Sequence, residues 1–207
     1  MTATVLGRPI PPRTTLAVAA ALALAVAGCG GGSAGSGSQA SKPANPNAKE
    51  ASPAGDIPDN QAYVAYTPPR ARYSVKVPEG WSRTMTGKAV SFTDKLNTVR
   101  LEERSAASAP TVASVKRSVV PTLAQTETGF RRGSVSTVRR TAGPGVRVTY
   151  LARGKADPVT GKSRVDAVER YLFFHNGREA VLTLSGPKGA DNVDPWRIIT
   201  DSLRWTR

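Results

Sequence analysis

Cysteine and histidine are almost missing from this chain. Cys29 and His175 are the only ones in 207 residues. One cysteine excludes an internal disulfide framework, and without a cluster of His or Cys the usual zinc ligand sets are excluded too. Acidic residues are scarce: 15 Asp and Glu stand against 29 Lys and Arg, a formal net charge of +14. No apolar run reaches the about 20 residues that a membrane-spanning helix needs. No internal repeat is visible, so solenoid and propeller architectures are excluded as well.

What is present begins at the N-terminus. Arg8 and Arg13 form a short positive region, and Thr14 to Ala27 is an uncharged run of Leu, Ala, Val and Thr. Ala27 and Gly28, both small, precede Cys29. That order is expected of a secretory signal peptide. In an exported chain without a second cysteine the lone thiol needs another role. Val26-Ala27-Gly28-Cys29 resembles the lipobox of bacterial lipoproteins. The resemblance implies cleavage between Gly28 and Cys29 and a diacylglyceryl group on the Cys29 thiol. The mature chain would then be held on the extracytoplasmic face of the cell membrane. Two or more acyl chains hold a protein there stably, at roughly 0.8 kcal/mol per buried methylene, where one does not.

Residues 1–28 are therefore expected to be a signal peptide and 29–61 a lipidated tether. From Gly30 to Gln61 the composition is Gly, Ser, Ala, Pro and Asn with few charges and no apolar periodicity. Such a segment cannot offset its ordering entropy by burial, and is expected to be disordered. As a flexible chain of about 32 residues it would reach on the order of 30 Å. Apolar residues return at Tyr63 and continue to Trp205. Residues 62–207, about 146 in number, suit a single domain.

Within that domain Tyr73–Val77, Ala89–Thr93 and Thr98–Glu103 alternate apolar and polar side chains, the mark of half-buried strands. Pro78 to Gly80 and Asp94 to Asn97 supply the turns. Ser108–Ala124 differs: Val112, Val115, Val119 and Leu123 recur at helical spacing, with Pro110 near the start. Pro121 should kink or shorten that helix. Four more strands are expected at Gly133–Arg140, Val146–Ala152, Val165–Phe174 and Glu179–Ser185. Val165, Val168 and Leu172 also fit a helix, but Asn176-Gly177 next to them is a two-residue hairpin signal and favours the strand. At the C-terminus Asp194 can cap a helix with Pro195 at its first position and Trp196, Ile199 and Leu203 as its apolar stripe. The expected class is α+β, a mostly antiparallel sheet flanked by helices.

Tyr73 to Trp81, reading Tyr-Ser-Val-Lys-Val-Pro-Glu-Gly-Trp, resembles the opening hairpin of PsbP-like domains. The helix after the third strand and the closing Asp201-Ser-Leu-Arg-Trp205 are similar to that superfamily too. It includes the extrinsic PsbP subunit of photosystem II and small actinobacterial lipoproteins of the LpqN type. The resemblance implies an antiparallel sheet sandwiched between helices and an accessory, assembly or interaction module without catalysis. It carries over no binding residue.

Local motifs for chemistry fail on context. Ala156 to Ser163 fits a relaxed phosphate-loop pattern, with Lys162 and Ser163 as its last members. Pro158 would remove one of the amide donors, and Arg164 onward reads as a strand where a helix N-terminus is required. His175 sits beside a turn with no serine near it in sequence. Asp191, Asn192 and Asp194 do not have the calcium-loop spacing, and helix capping accounts for them. Trp81, Tyr171, Phe173, Phe174, Trp196 and Trp205 could line a groove, though aromatics at strand and helix periods more often form core. Dispersed carboxylates such as Glu102, Asp166 and Glu169 would serve an envelope hydrolase only if folding brought them together.

The charge lies mainly in the folded part: residues 62–207 hold 25 Lys and Arg against 12 Asp and Glu, a net +13. Such a field attracts polyanions. Nucleic acid is not expected as the partner, because no recognition motif is present and the signal peptide points outside the cytosol. Anionic lipid headgroups, cell-wall polymers or another envelope protein remain. No metal or cofactor is expected. The sequence leads to a non-catalytic interaction or ligand-binding module, with an envelope enzyme or a purely structural component as alternatives.

Overall fold

The computed structural model describes residues 55–156 and 161–206. Gly28 and Cys29, with all of the segment expected to be a signal peptide and most of the expected tether, lie outside the described residues. The chain divides after Ala48, and every described residue belongs to the compact unit Lys49–Arg207.

Ten strands and two helices are seen among the described residues: β1 (Tyr63–Tyr66), β2 (Tyr73–Pro78), β3 (Ser82–Thr86), β4 (Ala89–Asp94), β5 (Asn97–Ser105), α1 (Val112–Thr126), β6 (Arg131–Arg140), β7 (Gly143–Ala156), β8 (Ser163–His175), β9 (Arg178–Pro187), α2 (Val193–Asp201) and β10 (Arg204–Trp205). Seven strands form one antiparallel sheet in the order β3-β4-β5-β9-β8-β7-β6, and β1-β2-β10 form a small second sheet. This is an α+β fold with helices packed on antiparallel sheets. Strands read from alternation all appear, longer by one to seven residues. The ladder extends past the last apolar residue because backbone pairing does not depend on the side chain. β1, β3 and β10 carry no such signal: β3 is exposed throughout, and β10 is two residues long.

Alternation along the strands makes two cores. On one face Val90, Phe92, Val99, Leu101, Tyr171, Phe173, Leu182 and Leu184 meet β2 and the α2 residues Trp196 and Ile199. On the other face Val146, Val148, Tyr150, Val168 and Leu172 meet Val115, Val120 and Leu123 of α1. β8 serves both, and so it is a strand with two apolar sides, which explains why its pattern also fitted a helix. The Asn176-Gly177 turn has φ of 45° and 75°, both left-handed, as a two-residue hairpin with the sheet's twist requires.

Helix boundaries needed correction. α1 begins at Val112 with Thr111, not Pro110, at its start. The Thr111 hydroxyl accepts from the Ser114 amide at 3.0 Å while the Ser114 hydroxyl accepts from the Thr111 amide at 2.9 Å. Pro121 does not end the helix, which runs on to Thr126; the residue is exposed, and the Arg117 carbonyl it leaves unpaired belongs to an exposed residue as well. In α2, Asp194 is not the cap. The helix starts at Val193, Asn192 holds the cap position without a side-chain cap bond, and Leu203 is buried beyond the helix end.

Asn192 is engaged elsewhere, and this corrects the expected domain boundary at residue 62. Its Oδ1 accepts from the Ile57 amide at 2.8 Å, and its Nδ2 donates to the Gly55 carbonyl at 3.0 Å and to Asn97 Oδ1 at 3.0 Å. Asn97 Nδ2 also donates to Gly55 O, at 2.9 Å. The Asp191 amide donates to Asp56 Oδ1 at 2.9 Å. Ile57 is 3% exposed and belongs to the first core. The segment from Gly55 to Gln61, expected in the tether, is therefore part of the domain. It lacks periodicity because one apolar side chain and two distant amides hold it.

Candidate functional site

α1 covers the β6–β7–β8 side of its face and leaves the outward side chains of β9, β5 and β4 uncovered by any described helix. Two cross-strand rows cross that open half. In one, Ser91, Arg100, Thr183 and Arg170 are successive neighbours. In the other, Thr93, Thr98, Ser185, Val168 and Tyr150 follow one another over five strands. These rows arise because β4, β5 and β9 alternate apolar side chains towards the first core with outward ones that are hydroxyl or charged apart from residues such as Ala89 and Val181.

The first row carries an ion network. Arg100 Nη2 lies 2.9 Å from Glu102 Oε1, and Arg170 Nη2 3.7 Å from Glu102 Oε2. Arg170 Nη1 donates to Thr183 Oγ1 at 3.3 Å. Farther along, Arg104 grips Glu179 Oε1 through Nε at 2.9 Å and Nη2 at 2.6 Å. Three arginines share two carboxylates here, Glu102 serving two of them, and Arg170 Nε is buried without a hydrogen-bond partner.

The second row is the floor of a cleft of about 380 Å³. Thr93 and Thr98 hydroxyls are 3.3 Å apart. Tyr150 and Val168 form the apolar end next to Glu127 at the close of α1. Lys95, Arg153, Lys155 and Arg164 contribute to its lining. Arg164 Nε lies 2.8 Å from Asp166 Oδ1, and Arg164 Nη2 donates to the Leu96 carbonyl at 2.9 Å, tying β8 to the β4–β5 turn. Asp166 is 7% exposed. Burial pushes its carboxyl above the usual range, with the Arg164 charge opposing. Burial likewise raises the Tyr150 phenol, helped by the Glu127 charge. Gly154 is required beside Asp166: a Cβ there would stand 2.6 Å from the carboxylate.

No protein-family model matches the sequence, and no curated protein does. Solved structures do show similarity. The cyanobacterial PsbP (CyanoP) of Synechocystis sp. PCC 6803 matches over 70% of this chain and 93% of its own, with TM-score 0.49 and 13% identity. LpqN of Mycobacterium tuberculosis matches over 72% and 87%, with TM-score 0.40 and 15% identity. A Bacteroides thetaiotaomicron protein matches over 66% of this chain at TM-score 0.45 and 11% identity, and the chain spans 46% of that protein's length. The likeness is one of fold.

Residues singled out in the sequence are dispersed by that fold. His175 is at the opposite end of the sheet, its ring stacked on Trp205 at 5.4 Å. Ser185 pairs with Val168, seven residues along β8 from His175, or roughly 23 Å at 3.3 Å per residue. Glu102 and Asp166 share a face but are six residues apart along the strands, about 20 Å. Glu169 is on the opposite face, where it accepts from the Tyr171 hydroxyl and pairs with Arg147 at 3.3 Å. Ala156 pairs with Ser163 across an antiparallel ladder, so the chain between them leads from strand to strand, with residues 157–160 outside the described set. Asp191, Asn192 and Asp194 form no metal-holding cluster among the described residues. Tyr171, Phe173 and Trp196 are core, Trp81, Phe174 and Trp205 half-buried, and none of the six lines the cleft. Its aromatic residue is Tyr150, which the strand reading had marked only as apolar.

Proposed function

We propose that this chain is a lipid-anchored extracytoplasmic protein whose domain is a non-catalytic interaction module held against an anionic surface of the envelope. The anchor reading is supported by the residues at 26–29, with Cys29 as the acylated position. The interaction reading is carried by one observation, the distribution of ion pairs. Eight arginines are paired with Asp or Glu: Arg100, Arg104, Arg140, Arg147, Arg164, Arg170, Arg178 and Arg197. Among the described cations that enter no ion pair, Lys116 and Arg117 on α1 and Arg131, Arg132 and Arg139 on the edge strand β6 fall on neighbouring elements, while others such as Arg70, Arg83, Lys88 and Arg204 lie elsewhere.

Charged residues on an edge strand also deter strand-to-strand aggregation. Lys116 and Arg117 lie on a helix, where that need does not arise, and their presence beside β6 favours attraction of an external anion. Each basic residue near an anionic membrane adds about 1 kcal/mol, screened by salt. Headgroups and anionic wall polymers offer the same charge, and an acidic envelope protein would too.

The test uses the mature sequence from residue 29 with Cys29→Ser. It should sediment with phosphatidylglycerol vesicles at low salt and not with phosphatidylcholine vesicles. A variant carrying Arg117→Ala, Arg132→Ala and Arg139→Ala should lose most of that binding. Equal sedimentation of both proteins would overturn the interaction reading. In the host, Cys29→Ser should move the protein out of the membrane fraction; retention without an acyl mass on the native protein would overturn the anchor.

A further inference from the structure

We infer that the cleft on the open half of the sheet binds a phosphorylated polyol. This site is separate from the α1–β6 surface and does not depend on lipidation. Three features converge on one concavity. Thr93, Thr98 and Ser185 are successive cross-strand neighbours, with the Thr93 and Thr98 hydroxyls 3.3 Å apart and hydrogen-bonded to each other. Every Ser or Thr hydroxyl both donates and accepts, so the Thr93–Thr98 pair and Ser185 retain capacity for the hydroxyls of a polyol. Tyr150 and Val168, 3% and 6% exposed, close the end of the same row with a narrow apolar edge. Lys95, Arg153 and Lys155 are exposed cations in the lining, where they suit a phosphate.

Hydroxyls on a solvated sheet are common. This row lines a cleft of about 380 Å³, within the size range of small-molecule sites, about 300–1,000 Å³, and exposed cations stand in the same lining. The remaining charges are fixed. Arg164 is committed to Asp166 and Leu96, and Gly154 leaves room for the carboxyl. The recognition set is thus three hydroxyls and three exposed cations: neutral sugars would use half of it, and bare phosphate the other half.

Calorimetry on the full chain in non-ionic detergent decides it, with glucose 6-phosphate, glycerophosphoglycerol, glucose and inorganic phosphate as probes. At least one of the two phosphorylated polyols should bind about tenfold or more tighter than both glucose and inorganic phosphate. Binding of glucose 6-phosphate alone assigns a free monoester. Binding of glycerophosphoglycerol assigns the diester chemistry of headgroups and wall polymers. Lys95→Ala with Lys155→Ala, and separately Thr98→Val with Ser185→Ala, should each weaken that binding about tenfold. These positions are exposed or half-buried and outside both cores, and unchanged thermal unfolding would show that the variants are folded. No binding by either phosphorylated polyol, inorganic phosphate binding as tightly, or affinity unchanged in both double variants would overturn the inference. The α1–β6 triple variant should bind the same probe normally, which separates this result from the vesicle test.

Discussion

Ile57→Ala tests the relocated domain boundary most directly. Ile57 precedes the first strand by six residues, in a stretch with no regular secondary structure, yet it is 3% exposed and packs in the core formed by β2, β4, β5, β9 and α2. Truncating a buried isoleucine to alanine removes its transfer free energy and leaves a cavity, together about 2–5 kcal/mol. The site is at the margin of the core, where the backbone can partly close the gap, so the lower half of that range applies, about 2–3 kcal/mol. For a domain of this size each kcal/mol moves Tm by about 3 °C, which gives a loss of about 6–9 °C. Differential scanning calorimetry on residues 29–207 with Cys29→Ser reads it. Ile198→Ala is the control: Ile198 is 45% exposed on α2, and its loss should cost less than about 0.5 kcal/mol. If the two variants melt within about 2 °C of each other, Ile57 is not in the core and the segment belongs to the tether after all.

Gly186→Ala should damage the same boundary from the other side, because a Cβ there would stand 2.3 Å from Asn97 Oδ1 and 2.9 Å from Asn192 Nδ2. The expected cost is about 1–3 kcal/mol, and proteolysis near Gly55 should accelerate in the variant; unchanged cleavage would refute the clamp. Tyr171 gives a pH dependence. Burial first, then the hydrogen bond and charge of Glu169, push its phenol up to about 12 from 10.0, with Arg147 opposing. The folded pKa lies above the unfolded one, so its contribution is whole below pH 10 and is lost as pH climbs through about 12. Denaturant unfolding should show the wild-type advantage over Tyr171→Phe shrinking across that window; a constant difference would refute the shift.

The parts of this protein legible in one dimension are those whose signal is local. Alternation in Tyr73–Val77, Ala89–Thr93 and Thr98–Glu103 reports which face each side chain takes, and the Asn176-Gly177 pair specifies its own turn. β8 was harder: Val168 and Leu172 face one core and Tyr171 and Phe173 the other, so burial on both sides erased the period. β1 and β10 owe their existence to pairing with β2, next in the chain to β1 but about 130 residues from β10, and nothing in the two residues of β10 announces it.

The candidate site divides along the same line. Thr93, Thr98, Thr183 and Ser185 were visible as the polar members of alternating strands, and Tyr150 as an apolar one. That Thr93, Thr98, Ser185, Val168 and Tyr150 stand in one row depends on strand order and register, β4-β5-β9-β8-β7, which sequence spacing does not contain. The carboxylates Glu102, Asp166 and Glu169 illustrate the converse: strand parity already put Glu169 and Asp166 on opposite faces of β8, and only register showed how far Glu102 and Asp166 are apart. Sequence alone determined the α+β class, the main strands, the net positive charge and the motif at Cys29, because each follows from local composition and period. Tertiary structure decided where the domain begins, which cations are left unpaired and which hydroxyls share a cleft, because these are relations between residues that meet only when the chain has folded.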